Sequence, residues 1–454
     1  MILGNRRDKT REHKKIMQNS INYGHTEQII SPQRYRSPFD IPGAIRDRFV
    51  DMLVISIPIM RFVEFKIVGR LFLTEIILIC LSPILSFNNR TLLTTPLPKM
   101  MILMLSVWLV GQIATDLIRH TPFADFMRGW AKIGITLINF SALYILTFGK
   151  RRRIVLFAIG LALGGILCYY FNPNIYAEDY PWKFGVGESL TWLLIILACG
   201  VKVRWFFLRI SIISFAIAVN LYLGFRSYAG ICFLTATYVF FQRLWVLKDA
   251  KKINLSLKNL VVIGLAFFFT SFIFLKTYGY MAQQGMLGEK ARQIYEQQAH
   301  GALGLLIGGR SEILVSIHAI IDSPIIGHGS WAKDYRYADT LVYLKRVLGY
   351  YPGQSNELGL IPTHSHLFGA WVEAGILGAV FWIWVLSLPI RGMAMLIRIK
   401  EVLTPLFVFF GFLLIWHVLF SPFGAELRFI IPYCIVVMMR LLPPRGKRTQ
   451  QLKW

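Results

Sequence analysis

The chain has 454 residues, of which 55% are hydrophobic and only 16% charged, with a formal net charge of +25. Soluble globular chains run near about 45–50% apolar and about 25% charged, so this composition excludes an ordinary soluble domain. The excess of Lys and Arg does not point to nucleic acid, because it collects in short segments between apolar runs, as loops facing anionic lipid do.

The first stretch, 1–47, is polar and basic (Arg6, Arg7, Lys9, Arg11, Lys14, Lys15). It reads as a cytoplasmic arm and not as a cleavable signal, which needs an apolar run directly after a short basic start. Apolar spans follow at 48–63, 67–87, 99–118, 129–149, 154–171, 186–201, 205–225, 228–246, 259–281, 366–390, 403–421 and 427–442, about twelve in all by the roughly 20-residue requirement of a membrane helix. Arg61, Glu64 and Lys66 interrupt the end of the first. The expected fold is all-α and polytopic, with helices over 48–281 and 366–442.

Orientation follows from the basic loops. Lys150–Arg153, Lys202 with Arg204, Lys248–Lys258 and the tail 443–454 (Arg445, Lys447, Arg448, Lys453) fall on one side when twelve spans are counted. That side is cytoplasmic by the positive-inside rule, and it holds both termini. The same parity places 282–365 outside. This stretch carries seven basic and seven acidic residues, the balance expected of a translocated loop. Helical spacing marks Glu289–His300 and Ser311–Ile321, and Pro324, Gly327 and Gly329 end the second. The five cysteines (Cys80, Cys168, Cys199, Cys232, Cys434) lie in apolar runs without CxxC spacing and read as small buried hydrophobes.

Three stretches carry candidate chemistry, all expected at the outer surface. Arg226 and Ser227 follow the seventh span in Gly224–Gly230; the guanidinium either snorkels to the interface or meets an anion. Gly308-Gly309-Arg310-Ser311-Glu312 opens a helix, where amides and a planar guanidinium suit phosphate, or where Ser311 and Glu312 simply cap it. His364 and His366 stand where the loop re-enters the membrane. A neutral His accepts a proton from a hydroxyl at physiological pH, whereas His-x-His without further ligands is a weak metal signal. Glu75, Asp116 and Glu188 are intramembrane acids that are either structural pairs or part of a binding site.

Arg226-Ser227, Gly309-Arg310, Pro324-Ile-Ile-Gly-His-Gly329 and His364-Ser365 leading to Glu373-Ala-Gly375-Ile-Leu-Gly378 together resemble the O-antigen ligase and O-antigen polymerase superfamily of bacterial envelope enzymes. Ser365 stands where that family has Asn. The resemblance implies a GT-C-like glycosyltransferase of the inner membrane. Its donor would be a glycan on undecaprenyl diphosphate, and its acceptor a sugar hydroxyl on lipid A–core (ligase) or on another lipid-linked glycan (polymerase of O-antigen, capsule or exopolysaccharide). It implies His364 as general base and Arg226 and Arg310 on the diphosphate, with His366, Ser227 and Glu312 secondary, no cofactor and no required metal. The large loop becomes periplasmic. A transporter or flippase is the reading from another class.

Overall fold

The computed structural model describes residues 43–66, 69–247, 257–298, 311–347, 359–397, 399 and 401–442. Among these the chain is almost entirely helical. The helices are α1 (Gly43–Ile59), α2 (Leu73–Asn88), α3 (Pro96–Ile118), α4 (Phe123–Leu146), α5 (Arg151–Phe171), α6 (Gly187–Gly200), α7 (Phe206–Tyr222), α8 (Arg226–Leu247) and α9 (Leu257–Gln283). After them come α10 (Glu289–Gln298), α11 (Ser311–Asp322), α12 (Tyr335–Val347), α13 (His366–Leu396), α14 (Thr404–Phe420) and α15 (Leu427–Arg440). Among the described residues, five helical stretches are long and apolar enough to cross a bilayer, namely Pro96–Ile118, Phe123–Leu146, Arg151–Phe171, Trp182–Gly200 and His366–Leu396. The protein is therefore a helical, multi-pass membrane protein.

Helix lies under every apolar stretch read from the sequence, but the boundaries differ in one instructive place. Between α1 and α2 the chain forms a small antiparallel hairpin, β1 (Glu64–Lys66) with β2 (Arg70–Phe72), and α2 starts at Leu73 rather than near residue 67. One of the charges that interrupt the first span, Glu64, fastens it. Arg70 grips Glu64 with two hydrogen bonds of 2.9 and 2.7 Å and reaches Glu426 at 3.0 Å. The loop also contains a third helix, α12, beside the two expected ones. The cysteines are all free, and Cys80, contrary to expectation, is exposed. It sits on an outward-facing position of α2, where an apolar thiol needs no protein around it.

Alternating helices bring their ends together in two groups. At one end Arg153 pairs with Asp51 (2.8 Å) and Asp47 (3.2 Å), and Arg151 with Glu401 (3.0 Å). At the other end Asn172 donates to the carbonyl of Phe62, Arg119 to that of Gly327, and Lys333 pairs with Asp125. The core between them is aromatic. Trp108 of α3 packs on Phe381 and Trp382 of α13 at 5.1 and 5.5 Å, and Phe157 on Tyr433 at 4.8 Å.

Two of the intramembrane acids are paired within the fold. Glu75 is fully buried and receives Arg428 of α15 at 3.0 and 2.8 Å, together with the amide of Phe72 at 3.1 Å. Removing one partner leaves a buried uncompensated charge, so Glu75→Ala is expected to destabilise the fold by about 3–5 kcal/mol. A lowered thermal midpoint of the detergent-solubilised protein is the check; an unchanged midpoint contradicts this assignment. Asp116 accepts from the amide of Ser330 (2.6 Å), its hydroxyl (2.7 Å) and the Trp130 indole (2.9 Å). It ties α3 to the loop.

Candidate functional site

The site is built on a broken helix. α13 departs from helical geometry at Gly375, where φ is 63° and ψ −154°, a conformation open essentially to glycine alone. The break releases the carbonyls of Val372 and Glu373 from their places in the helix ladder. The turn after α11 fills them: His328 donates its amide to Val372 O at 2.7 Å and Gly329 to Glu373 O at 3.1 Å, while Ile376 donates to Ile325 O at 3.2 Å. The Pro324–Gly329 motif is thus a clamp between loop and span. Its glycines, Gly327 and Gly329, have φ of 84° and 95°. The clamp is supported from α3 by Thr115 on Ile326 O and by Arg119 on Gly327 O and Ser323.

α11 and α12 rest on this clamp. Tyr337 of α12 hydrogen-bonds Asp322 at the end of α11. Its phenol is pushed up to about 12, first by burial and then by that bond to a carboxylate.

Beside the clamp, where the loop re-enters, lies a cavity of about 380 Å³. His364 lines it, half-buried, with Lys132, Glu312, Trp331 and Glu373. Ser365, which follows, caps α13: its hydroxyl accepts the Phe368 amide at 3.2 Å and donates to Val418 O at 2.8 Å. Asn caps helices as Ser does, so either residue at 365 keeps the local fold. Lys132 of α4 and Glu373 form an ion pair inside the cavity, and the Lys132 ammonium stands 5.9 Å over the Trp108 ring. Glu312 pairs with Lys345 at 3.2 Å.

His366 lines the same cavity but is set deeper in the fold. It is buried, and its Nδ1 lies 2.6 Å from Ser421 O. A carbonyl only accepts, so Nδ1 carries the proton and Nε2 the lone pair. That Nε2 is buried with no hydrogen-bond partner. The ring packs on Trp382 and Phe423 at 4.8 and 4.9 Å and stacks on His417 at 6.0 Å. Among the described residues no three His, Cys, Asp or Glu side chains group as a metal site.

The expected arginines are placed less completely. Arg226 opens α8, after Gly224 ends α7 with φ of 78°. Its guanidinium lies 5.6 Å over the Tyr278 ring of α9. Neither Arg226 nor Ser227, half-buried beside it, lines the His364 cavity. Arg310 lies outside the described residues. Lys132 was missed from sequence; its signal was a lone lysine ten positions into an apolar helix, where a charge demands a partner.

A second cavity opens at the same end, around the hairpin. Arg61, Arg70, Glu64, Glu75, Glu188 and Glu426 line it. Glu188, the third intramembrane acid, accepts from the Tyr228 hydroxyl at 2.7 Å. The turn 421–426 stands between the cavities, giving Pro422 and Phe423 to the first and Glu426 to the second.

No protein-family model matches the chain, and no curated protein is significantly similar to it.

Proposed function

We propose that the protein is a GT-C-like membrane glycosyltransferase of the O-antigen ligase type. It would span the inner membrane twelve times, with both termini cytoplasmic and the His364 cavity facing the periplasm. The observation that carries this reading is His364 itself: a half-buried imidazole on the wall of a charged cavity, at the helix end where the motif resemblance puts the family's base. In the proposed reaction neutral His364 takes the proton of an acceptor sugar hydroxyl. The hydroxyl oxygen attacks the anomeric carbon of the donor glycan. The bond from that carbon to the diphosphate oxygen breaks, with inversion, and undecaprenyl diphosphate leaves with its electron pair. Arg310, and Arg226 from the head of α8, are assigned to the diphosphate. Lys132 adds a cation inside the cavity, where a low dielectric strengthens its hold on developing charge.

The glycan phenotype of a deletion strain tests the reading. Rough lipopolysaccharide core with polymer retained on the carrier lipid supports a ligase. Core capped by a single repeat unit makes the protein a polymerase, and loss of capsule or exopolysaccharide alone makes it a polymerase of those. An unchanged glycan profile sinks the transferase proposal. A transporter is the second reading, because the Lys132–Glu373 pair lies within two spans, as coupling groups in transporters do. Flux through reconstituted protein without glycan transfer would favour it.

A further inference from the structure

The hairpin cavity has no part in the chemistry above, yet its polar groups are unevenly satisfied. Arg70 is hydrogen-bonded through all three nitrogens, to Glu64 and Glu426. Arg61 is not: its Nε and Nη1 are buried with no hydrogen-bond acceptor. Burying a guanidinium donor without an acceptor costs free energy comparable to a lost charged hydrogen bond. The group is fixed in place, because α5 runs past it at Gly164 and Gly165, and a Cβ on Gly165 would come within 2.7 Å of its Nη2.

The remaining lining decides what would satisfy it. Glu188 and Glu426 each have lone pairs beyond the bonds they accept, so a ligand must donate as well as accept. Carboxylates around the arginine oppose a multiply charged phosphate. Tyr169 and the partly exposed Phe184 add aromatic rings, and Asn174 adds a carboxamide at the exposed rim. Hydroxyl groups both donate and accept, and the apolar face of a pyranose packs on aromatic rings. We infer that this second cavity is a saccharide-binding site that takes a neutral sugar of the acceptor glycan, next to the His364 cavity across the 421–426 turn. The assignment to the acceptor rests on the transferase reading; the affinity for sugar does not.

The test is saturation-transfer NMR on the full-length protein in nanodiscs. The probe is the lipid-free core oligosaccharide released from host lipopolysaccharide by mild acid. The wild type and His364→Ala should bind it alike. Arg61→Ala should bind it about tenfold more weakly or worse, the loss expected for one charged hydrogen bond. If Arg61→Ala fails to accumulate, Asn174→Trp, placed on the exposed rim, should block binding without touching the interior. No saccharide signal from the wild type, or wild-type binding by both variants, overturns the proposal. Displacement of the oligosaccharide by millimolar inorganic phosphate also overturns it, in favour of an anion site. Arg61-dependent binding in a protein that transfers no glycan would sink the transferase reading and leave the sugar site standing.

Discussion

On the proposed transferase reaction, replacing His364 with alanine is expected to lower glycan transfer by about 10²-fold or more, the usual contribution of a positioned general base. The amount of protein in the membrane should not change, since the imidazole is half-buried on a cavity wall and no core cluster depends on it. His366→Ala makes the informative contrast. That ring is 1% exposed and sits against Trp382, Phe423 and His417, so its loss opens a hole in the core and should reduce the amount of folded protein. The two readouts are transfer by membranes and protein level by immunoblot. Full activity in His364→Ala, with activity lost at normal protein level in His366→Ala, would move the base two residues along the chain. The orphan lone pair on His366 Nε2 is what makes that outcome chemically meaningful.

Gly375→Ala is the second large effect. The glycine has φ of 63° and ψ of −154°, and a Cβ there would meet the carbonyl oxygen of Ile325 at 1.9 Å. No side-chain rotation relieves a clash with backbone, so the turn must leave α13 or the kink must straighten. Straightening returns Val372 O and Glu373 O to the helix and strips His328 and Gly329 of their acceptors. The variant should lose activity along with protease resistance of the loop between α9 and α13, read by limited proteolysis of inside-out and right-side-out vesicles. Gly134→Ala, in α4 with open space around its Cβ, should behave as wild type in both assays. Wild-type behaviour of Gly375→Ala would mean that the clamp does not hold the loop.

What could be read from the sequence divides by distance along the chain. Apolar runs announce helices because the information is local, and so do Ser311-Glu312 in the first turn of α11 and Ser365 before α13. The hairpin at Glu64–Phe72 was hidden because Arg61, Glu64 and Lys66 looked like faults in a span, and Glu426, which holds Arg70 of the hairpin, is 356 residues away. Lys132 and Glu373 are 241 residues apart, and nothing near either one names the other. Asp116 was undecidable for another reason: one of its donors is the backbone amide of Ser330, which a sequence does not distinguish from any other amide. His364 was legible only through its motif. Its surroundings, which decide whether it can work as a base, come from α3, α4, α11 and α13 at once.

The polar knot on α3 also sets a timetable. Thr115, Asp116 and Arg119 find their loop partners 204 to 214 residues later in the chain. At about 5–20 residues per second, a ribosome needs roughly 10–40 s to deliver them. For that interval α3 is already threaded into the bilayer with a carboxylate near its end. Trp130 arrives only 14 residues after Asp116, and its indole donates to that carboxylate at 2.9 Å. The α3–α4 pair therefore carries its own temporary partner through biogenesis, and the loop completes during late synthesis a junction that this helix pair keeps open for it.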